Sequence, residues 1–312
     1  MHREEITIKS NYDNLELGVS LRIPEHPTGI LQLVHGMAEH RERYHDFMDY
    51  CAEQGLVVII HDHRGHGASI KTKDDLGYFG KNGVEAIVED AHQITQYIRA
   101  RFPGLPLTLF GHSMGSLVVR CYIQKYDQGI DSLIVCGSPS YQLASRIGII
   151  VVKTLQLFKG EKHRSHFVNG LAFAKNTKRF QHEGNPNAWV VSDPAVLAAY
   201  DADERDGFIF TLNGFEALFK LMNRAYSKKG WAMQNPNIPI LFIAGADDPC
   251  IIDEKHFNKA VNFLRERGYQ NVTSKLYPHM RHEILNEIGK AEVWRDVITQ
   301  AKLAESNRNT NQ

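Results

Sequence analysis

The chain has 312 residues, 43% hydrophobic and 23% charged, a composition that suits a soluble globular protein with a sizeable core. Thirty-six Lys and Arg balance thirty-six Asp and Glu, so no global charge draws the chain to nucleic acid, and none is expected as a partner. No apolar run approaches the roughly 20 residues that cross a bilayer. The charged start Met1 to Glu5 has no secretory apolar region, and Cys51, Cys121, Cys136 and Cys250 lie apart without metal-ligand spacing, so a reducing, cytoplasmic location is expected.

In chain order, Glu5 to Lys9 and Leu15 to Ile23 read as antiparallel strands, the second closed by Pro24 and Pro27. Ile30 to Val34 predicts a buried strand ending at His35-Gly36, and a helix is expected over Tyr44 to Gln54. The continuous β-branched run Leu56 to Ile60 predicts a strand covered on both faces. A helix at Val84 to Arg101, a strand at Leu107 to Phe110, a helix after Ser113 and a strand at Ser132 to Cys136 continue the alternation. Such alternation predicts an α/β fold with a mostly parallel central sheet and helices on both faces. From Ser138 to Pro236 no strand is evident, which predicts a helical insertion. Alternation resumes with Ile238 to Ala244, Asp253 to Arg267, Val272 to Tyr277 and a final helix from Glu283 to Leu303. The expected organisation is a core in two parts, 1–137 and 237–304, interrupted by a helical cap at 138–236 and followed by a polar, disordered tail at 305–312.

Gly111-His112-Ser113-Met114-Gly115 is a G-x-S-x-G pattern between a strand and a helix, a setting that presents a serine hydroxyl on a sharp turn. A side chain at either glycine would crowd the neighbouring strand and helix. If Ser113 is a nucleophile, an acid and then a histidine should follow after late strands. Gly245-Ala246-Asp247-Asp248-Pro249 and His279-Met280-Arg281-His282 fill those places with two candidates each. Asp248 is preferred because the residue before a proline is biased towards extended backbone. His282 is preferred because it precedes the expected final helix. The backbone N–H groups of Met114, after the serine, and of Met37, in His35-Gly36-Met37, are candidate oxyanion donors.

The other motifs have blander readings. His61-Asp62-His63-Arg64-Gly65-His66 gathers imidazoles and a carboxylate, yet its place after a strand and among glycines favours a sharp loop bridged by polar side chains over a metal site. His112 reads as a packed, hydrogen-bonded residue, and Glu39, His40, Arg43 and Tyr44 as a polar cluster supporting the loop after the third strand. No G-x-G-x-x-G or Walker sequence is present, so no cofactor is expected.

Together, Leu33 to His40 with Arg43-Tyr44, Asp62 to Ser69, Gly111 to Gly115, Gly245 to Pro249 and Arg281 to Glu287 resemble the monoacylglycerol lipase and lysophospholipase group of the α/β-hydrolase superfamily. The resemblance spans both core segments. It implies Ser113, Asp248 and His282 as a catalytic triad, with Asp248 selected by the group's G-x-x-D pattern, and a helical cap over the pocket.

The implied activity is serine ester hydrolysis on a small, lipid-derived ester such as a monoacylglycerol or lysophospholipid. A soluble short-chain esterase and an aminopeptidase-like amidase are alternatives on the same fold, and a non-catalytic binding protein is a third class. In the cap, Leu143 to Phe158 is largely apolar, and seven Lys and Arg lie between 153 and 182 against one Glu. Such a segment suits transient contact with anionic lipid. The favoured reading is nevertheless that the apolar residues are buried cap contacts and the lysines a solvated face.

Overall fold

The computed structural model describes the backbone of residues 1–309 and the side chains of residues 1–304. Its sheet runs β1 (His2–Lys9), β2 (Glu16–Ile23), β4 (Leu56–His61), β3 (Gly29–Val34), β5 (Leu107–His112), β6 (Ser132–Cys136), β7 (Ile240–Gly245) and β8 (Val272–Tyr277) in spatial order. β2 is antiparallel to both β1 and β4, and every other neighbouring pair is parallel. The interior strands β3, β4, β5 and β6 are buried along their whole length, as parallel strands covered on both faces must be. β1, at the edge, alternates between exposed and half-buried positions. One polar side chain inside this layer, Gln32, is satisfied: it donates to Ala91 O at 2.9 Å and accepts from Thr95 Oγ1 at 2.7 Å.

Helices α2 (Gly83–Arg101), α3 (Met114–Tyr126) and α8 (Glu254–Arg267) bury their apolar stripes on one face of the sheet. Helices α1 (His45–Glu53) and α9 (Lys290–Asn309) cover the other. Between β6 and β7 lie α4 (Ala144–Lys159), α5 (His166–Arg179), α6 (Pro194–Ala202) and α7 (Leu212–Ala225). Helix α7 packs against α3 and α4 and joins the core through Leu212, Phe215 and Leu221, so it roots the insertion in the sheet layer.

The chain leaves β3 to one side for β4 and returns on the other for β5. This reversal opens a crevice at the carboxyl ends of β3 and β5, the place where open α/β sheets bind ligands. The loops carrying Met37 and Ser113 emerge there.

Two expectations are corrected. The last helix begins at Lys290, not at Glu283. Ile284 and Leu285 are buried loop residues, and the Glu287 carboxylate holds the loop by accepting from Arg281 N at 2.8 Å and Ser192 N at 2.9 Å. Gly289, at φ +88°, then separates the loop from the helix. The tail expected from 305 starts as the end of α9, which runs to Asn309, while residues 310–312 lie outside the described residues.

Candidate active site

Ser113 sits between β5 and α3 with φ +52° and ψ −117°, a backbone that L-residues rarely adopt. The surroundings enforce it. Ser113 N donates to Cys136 O at 2.9 Å, and the Ser113 carbonyl accepts from Ser116 N at 3.0 Å and Ser116 Oγ at 2.5 Å. A Cβ on Gly115 would collide with the Val34 and His35 carbonyls, and one on Gly111 with the Gly115 carbonyl. Both glycines are therefore required by close backbone approach.

His282 reaches this serine from the loop after β8. Ser113 Oγ lies 2.8 Å from His282 Nε2, and His282 Nδ1 lies 2.9 Å from Asp248 Oδ2. Asp248 is completely buried after β7, and its other oxygen accepts from Cys250 N at 2.8 Å. Because the carboxylate accepts only, the Nδ1 proton points to Asp248 and Nε2 keeps the lone pair facing the hydroxyl. The rival candidates lie elsewhere. Asp247 is half-buried and meets Arg179 Nη2 of the insertion at 3.4 Å, and His279 is an exposed turn residue at φ +61°.

Met37 and Met114 border the same cavity, which has a volume of about 500 Å³. Met114 is the first residue of α3, so the positive end of that helix's dipole faces the serine. The apolar wall of the cavity comes from the insertion, chiefly Ile147, Val151, Leu171, Phe208, Phe219 and Met222.

Beneath the site is a buried polar network. Glu39 Oε1 accepts from Gly36 N at 2.5 Å, from Tyr44 OH at 3.0 Å and from His112 Nδ1 at 3.1 Å. His112 Nε2 donates to His282 O at 3.2 Å, so both His112 nitrogens face acceptors. Burial penalises charge on His112, but Glu39 outweighs it and raises the imidazole above its ordinary value. Arg43 makes a bidentate pair with Glu283, with one arm at 2.6 Å, and also meets Asp206 of the insertion at 3.2 Å.

Glu283, Asp206 and Trp189, whose ring centroid is 5.2 Å from that of His282, have no role in the sequence reading. Glu283 alone carries a signal, as a charged residue directly beside a candidate histidine. The group at His61 to His66 forms a bridged loop: Asp62 accepts from Arg41 N at 2.7 Å and Ala68 N at 2.8 Å. Among the described residues, His40, Asp203 and Asp206 also bring three donor atoms together, but Arg43 and Arg205 already occupy the two carboxylates.

A family profile described as serine aminopeptidase, S33, matches residues 25–289. A monoacylglycerol lipase of Mycolicibacterium smegmatis is 26% identical over 274 residues, covering 88% of each chain. The monoglyceride lipase of Mus musculus is 29% identical over 84% of this chain and 78% of its own. Among solved structures, a highly thermostable carboxyl esterase from Bacillus coagulans, in complex with glycerol, superposes with a TM-score of 0.88 at 27% identity, covering 98% of this chain and 99% of its own. The chain belongs to the serine aminopeptidase S33 family of α/β-hydrolases, within its monoglyceride lipase-like group of hydrolytic enzymes.

Proposed function

We propose that the protein hydrolyses carboxylic esters of a single acyl chain through an acyl-enzyme, with Ser113 as nucleophile, His282 as base and then acid, and Asp248 as the group that orients His282. The observation that carries this reading is the 2.8 Å and 2.9 Å chain from Ser113 through His282 to Asp248, placed at the floor of an apolar cavity. His282 takes the hydroxyl proton as Oγ attacks the ester carbonyl, and gives it to the leaving alcohol when the C–O bond breaks. Water then repeats the sequence on the acyl-enzyme. The Met37 and Met114 amides receive the oxyanion in both halves.

The cavity lining supports an uncharged head group. It presents the neutral side chains Gln142, Asn169, Asn176 and Asn187, and no Lys or Arg among the described residues. Its two carboxylates, Glu39 and Glu283, are both engaged by Arg43, which leaves neither free for a substrate amine. A monoacylglycerol fits this lining better than a lysophospholipid or an aminoacyl amide.

The insertion also supports contact with a lipid surface. Leu157 and Phe158 of α4 are 83% and 80% exposed, and Phe167 and Leu171 of α5 are 64% and 65% exposed, with Lys153, Lys159 and Lys162 close by in sequence. Leu157 and Phe158 are therefore not the buried cap contacts expected of the Leu143 to Phe158 stretch. Anionic vesicles should sediment the protein, and Leu157→Ser with Phe158→Ser should release it.

Fluorophosphonate labelling tests the enzyme reading directly. The folded protein should be labelled and the Ser113→Ala variant should not; an unlabelled wild type would overturn the reading. Faster turnover of monoacylglycerol than of lysophosphatidylcholine, a short p-nitrophenyl ester or an aminoacyl anilide is expected, and a preference for one of the last three would replace the substrate assignment.

A further inference from the structure

The loop that carries Met37 is held from below by imidazoles that the reaction itself does not use. His35, at the end of β3, is fully buried, as are His63 and His66 on the loop after β4. His35 Nδ1 lies 2.8 Å from Gly36 O, and its Nε2 accepts from His63 N at 2.8 Å. The second bond fixes the tautomer: Nε2 holds a lone pair, so Nδ1 carries the proton and donates to the Gly36 carbonyl. His66 has the same form. Its Nε2 accepts from Ala38 N at 3.2 Å, and Nδ1 donates to Arg64 O at 3.1 Å.

Those two bonds pin the two peptide planes on either side of the Met37 Cα. In a trans peptide the C=O and N–H point in opposite directions, so the grip of His35 on the Gly36 carbonyl sets the direction of the Met37 N–H. The grip of His66 on the Ala38 N–H sets the next plane. Ala38 has φ +50°, a left-handed conformation that costs a non-glycine residue about 1 kcal/mol or more and persists only when its surroundings over-determine it. Its carbonyl is fixed as well, accepting from Gly207 N of the insertion at 2.8 Å.

We infer that His35 and His66 are positioning residues that aim the Met37 N–H at the oxyanion by bracketing it from both sides. The inference rests on the proposed hydrolytic role of Ser113 and Met37. Burial lowers both imidazoles, His66 to about 3, which keeps the accepting nitrogens unprotonated. Rings of Phe79, Phe208 and Phe210 surround His66 with centroids 5.7, 5.4 and 5.2 Å away, fixing its orientation without competing for its nitrogens.

The test compares His66→Leu, which removes the acceptor, with His66→Gln, which keeps one within reach of the Ala38 N–H. Full loss of one oxyanion donor lowers kcat by about 10²–10³. A misaimed donor should therefore cost His66→Leu roughly tenfold or more in kcat with KM little changed, and His66→Gln should recover most of it. An alkyl trifluoromethyl ketone, which adds Ser113 Oγ to its carbonyl and leaves an oxyanion in the hole, should bind His66→Leu more weakly by a similar factor. Unchanged kcat and ketone affinity in folded His66→Leu, or no recovery in His66→Gln, would overturn the inference. If His66→Leu does not fold, His35→Leu, which removes the donor to the Gly36 carbonyl, set against His35→Asn, which keeps one near the Nδ1 position, carries the same comparison, with unchanged kcat in folded His35→Leu again the refuting result. A wild type that neither labels at Ser113 nor turns over esters would defeat the hydrolase reading itself, an outcome distinct from an active wild type whose variants keep kcat.

Discussion

His61, the last residue of β4, should make the fold sensitive to acid by an amount that can be worked out. It is fully buried, and neither ring nitrogen has a hydrogen-bond partner among the described residues. Burial pushes its imidazole down to about 3, with His35 and Arg64 adding to the effect and Asp62 opposing it. In the unfolded chain the same group titrates near its ordinary value of about 6.5. Between those values only the unfolded state binds the proton, so stability is complete above the upper value and falls as pH drops towards the lower one. At about 1.4 kcal/mol per unit, lowering the pH from about 7.5 to about 5 costs about 2 kcal/mol through this residue alone. That is a large share of a typical total of about 5–15 kcal/mol. His61→Leu removes the titration and leaves no donor stranded, because the ring bonds to none. Urea unfolding followed by far-UV circular dichroism, at both pH values, should show the variant losing about 2 kcal/mol less than the wild type. Equal losses in the two proteins would refute the argument and place His61 in contact with water.

Further outcomes follow from the network around the site. Asp248→Asn should lower kcat by about 10⁴ by disturbing the His282 tautomer, whereas Asp247→Asn should leave ester turnover near wild type; the same kinetic assay checks both. Arg43→Met strands the buried carboxylates of Glu283 and Glu39 and should cost about 3–5 kcal/mol in denaturant unfolding. Burial pushes the Asp206 carboxyl up to about 8 despite the attraction of Arg43. The folded state therefore holds a proton that the unfolded state has released, and stability falls as pH rises between about 4 and 8. Melting temperatures across that range should show Asp206→Asn gaining on the wild type as the pH rises, and a constant difference would contradict the assignment.

What is legible in the sequence is whatever local backbone geometry demands. Gly111 and Gly115 announce the serine turn because no other residue fits against the Val34, His35 and Gly115 carbonyls. The interior strands announce themselves by unbroken apolar runs, since both faces are covered. The apolar pattern places the final helix too early because Ile284 and Leu285 are buried like helix residues, while the Glu287 side chain ties that segment into a loop. The preference for His282 leans on that mistaken boundary, yet it is the histidine that the structure brings to Ser113. Arg43 and Glu283 are paired across most of the chain length, and no periodicity carries such a pairing. The apolar face of α4 is equally ambiguous: hydrophobic spacing describes a stripe on a helix, not whether another element covers it.

The division of labour between core and insertion is less clean than the strand pattern implies. The residues proposed for bond breaking all sit on core loops, and the apolar wall of the cavity belongs to the insertion. Between α6 and α7, however, the insertion also reaches back under the site: Gly207 N holds the Ala38 carbonyl, and Asp206 meets the Arg43 that grips Glu283 beside His282. A change in the insertion that moved this segment would shift the loop carrying Met37 and the neighbour of His282 together. Substitutions at Leu157 and Phe158, far along α4 and exposed, should alter lipid binding while leaving kcat on a soluble ester intact. Substitutions between 203 and 208 should instead act on kcat, because the segment touches Ala38 and Arg43, beside the groups proposed to aim the reacting atoms.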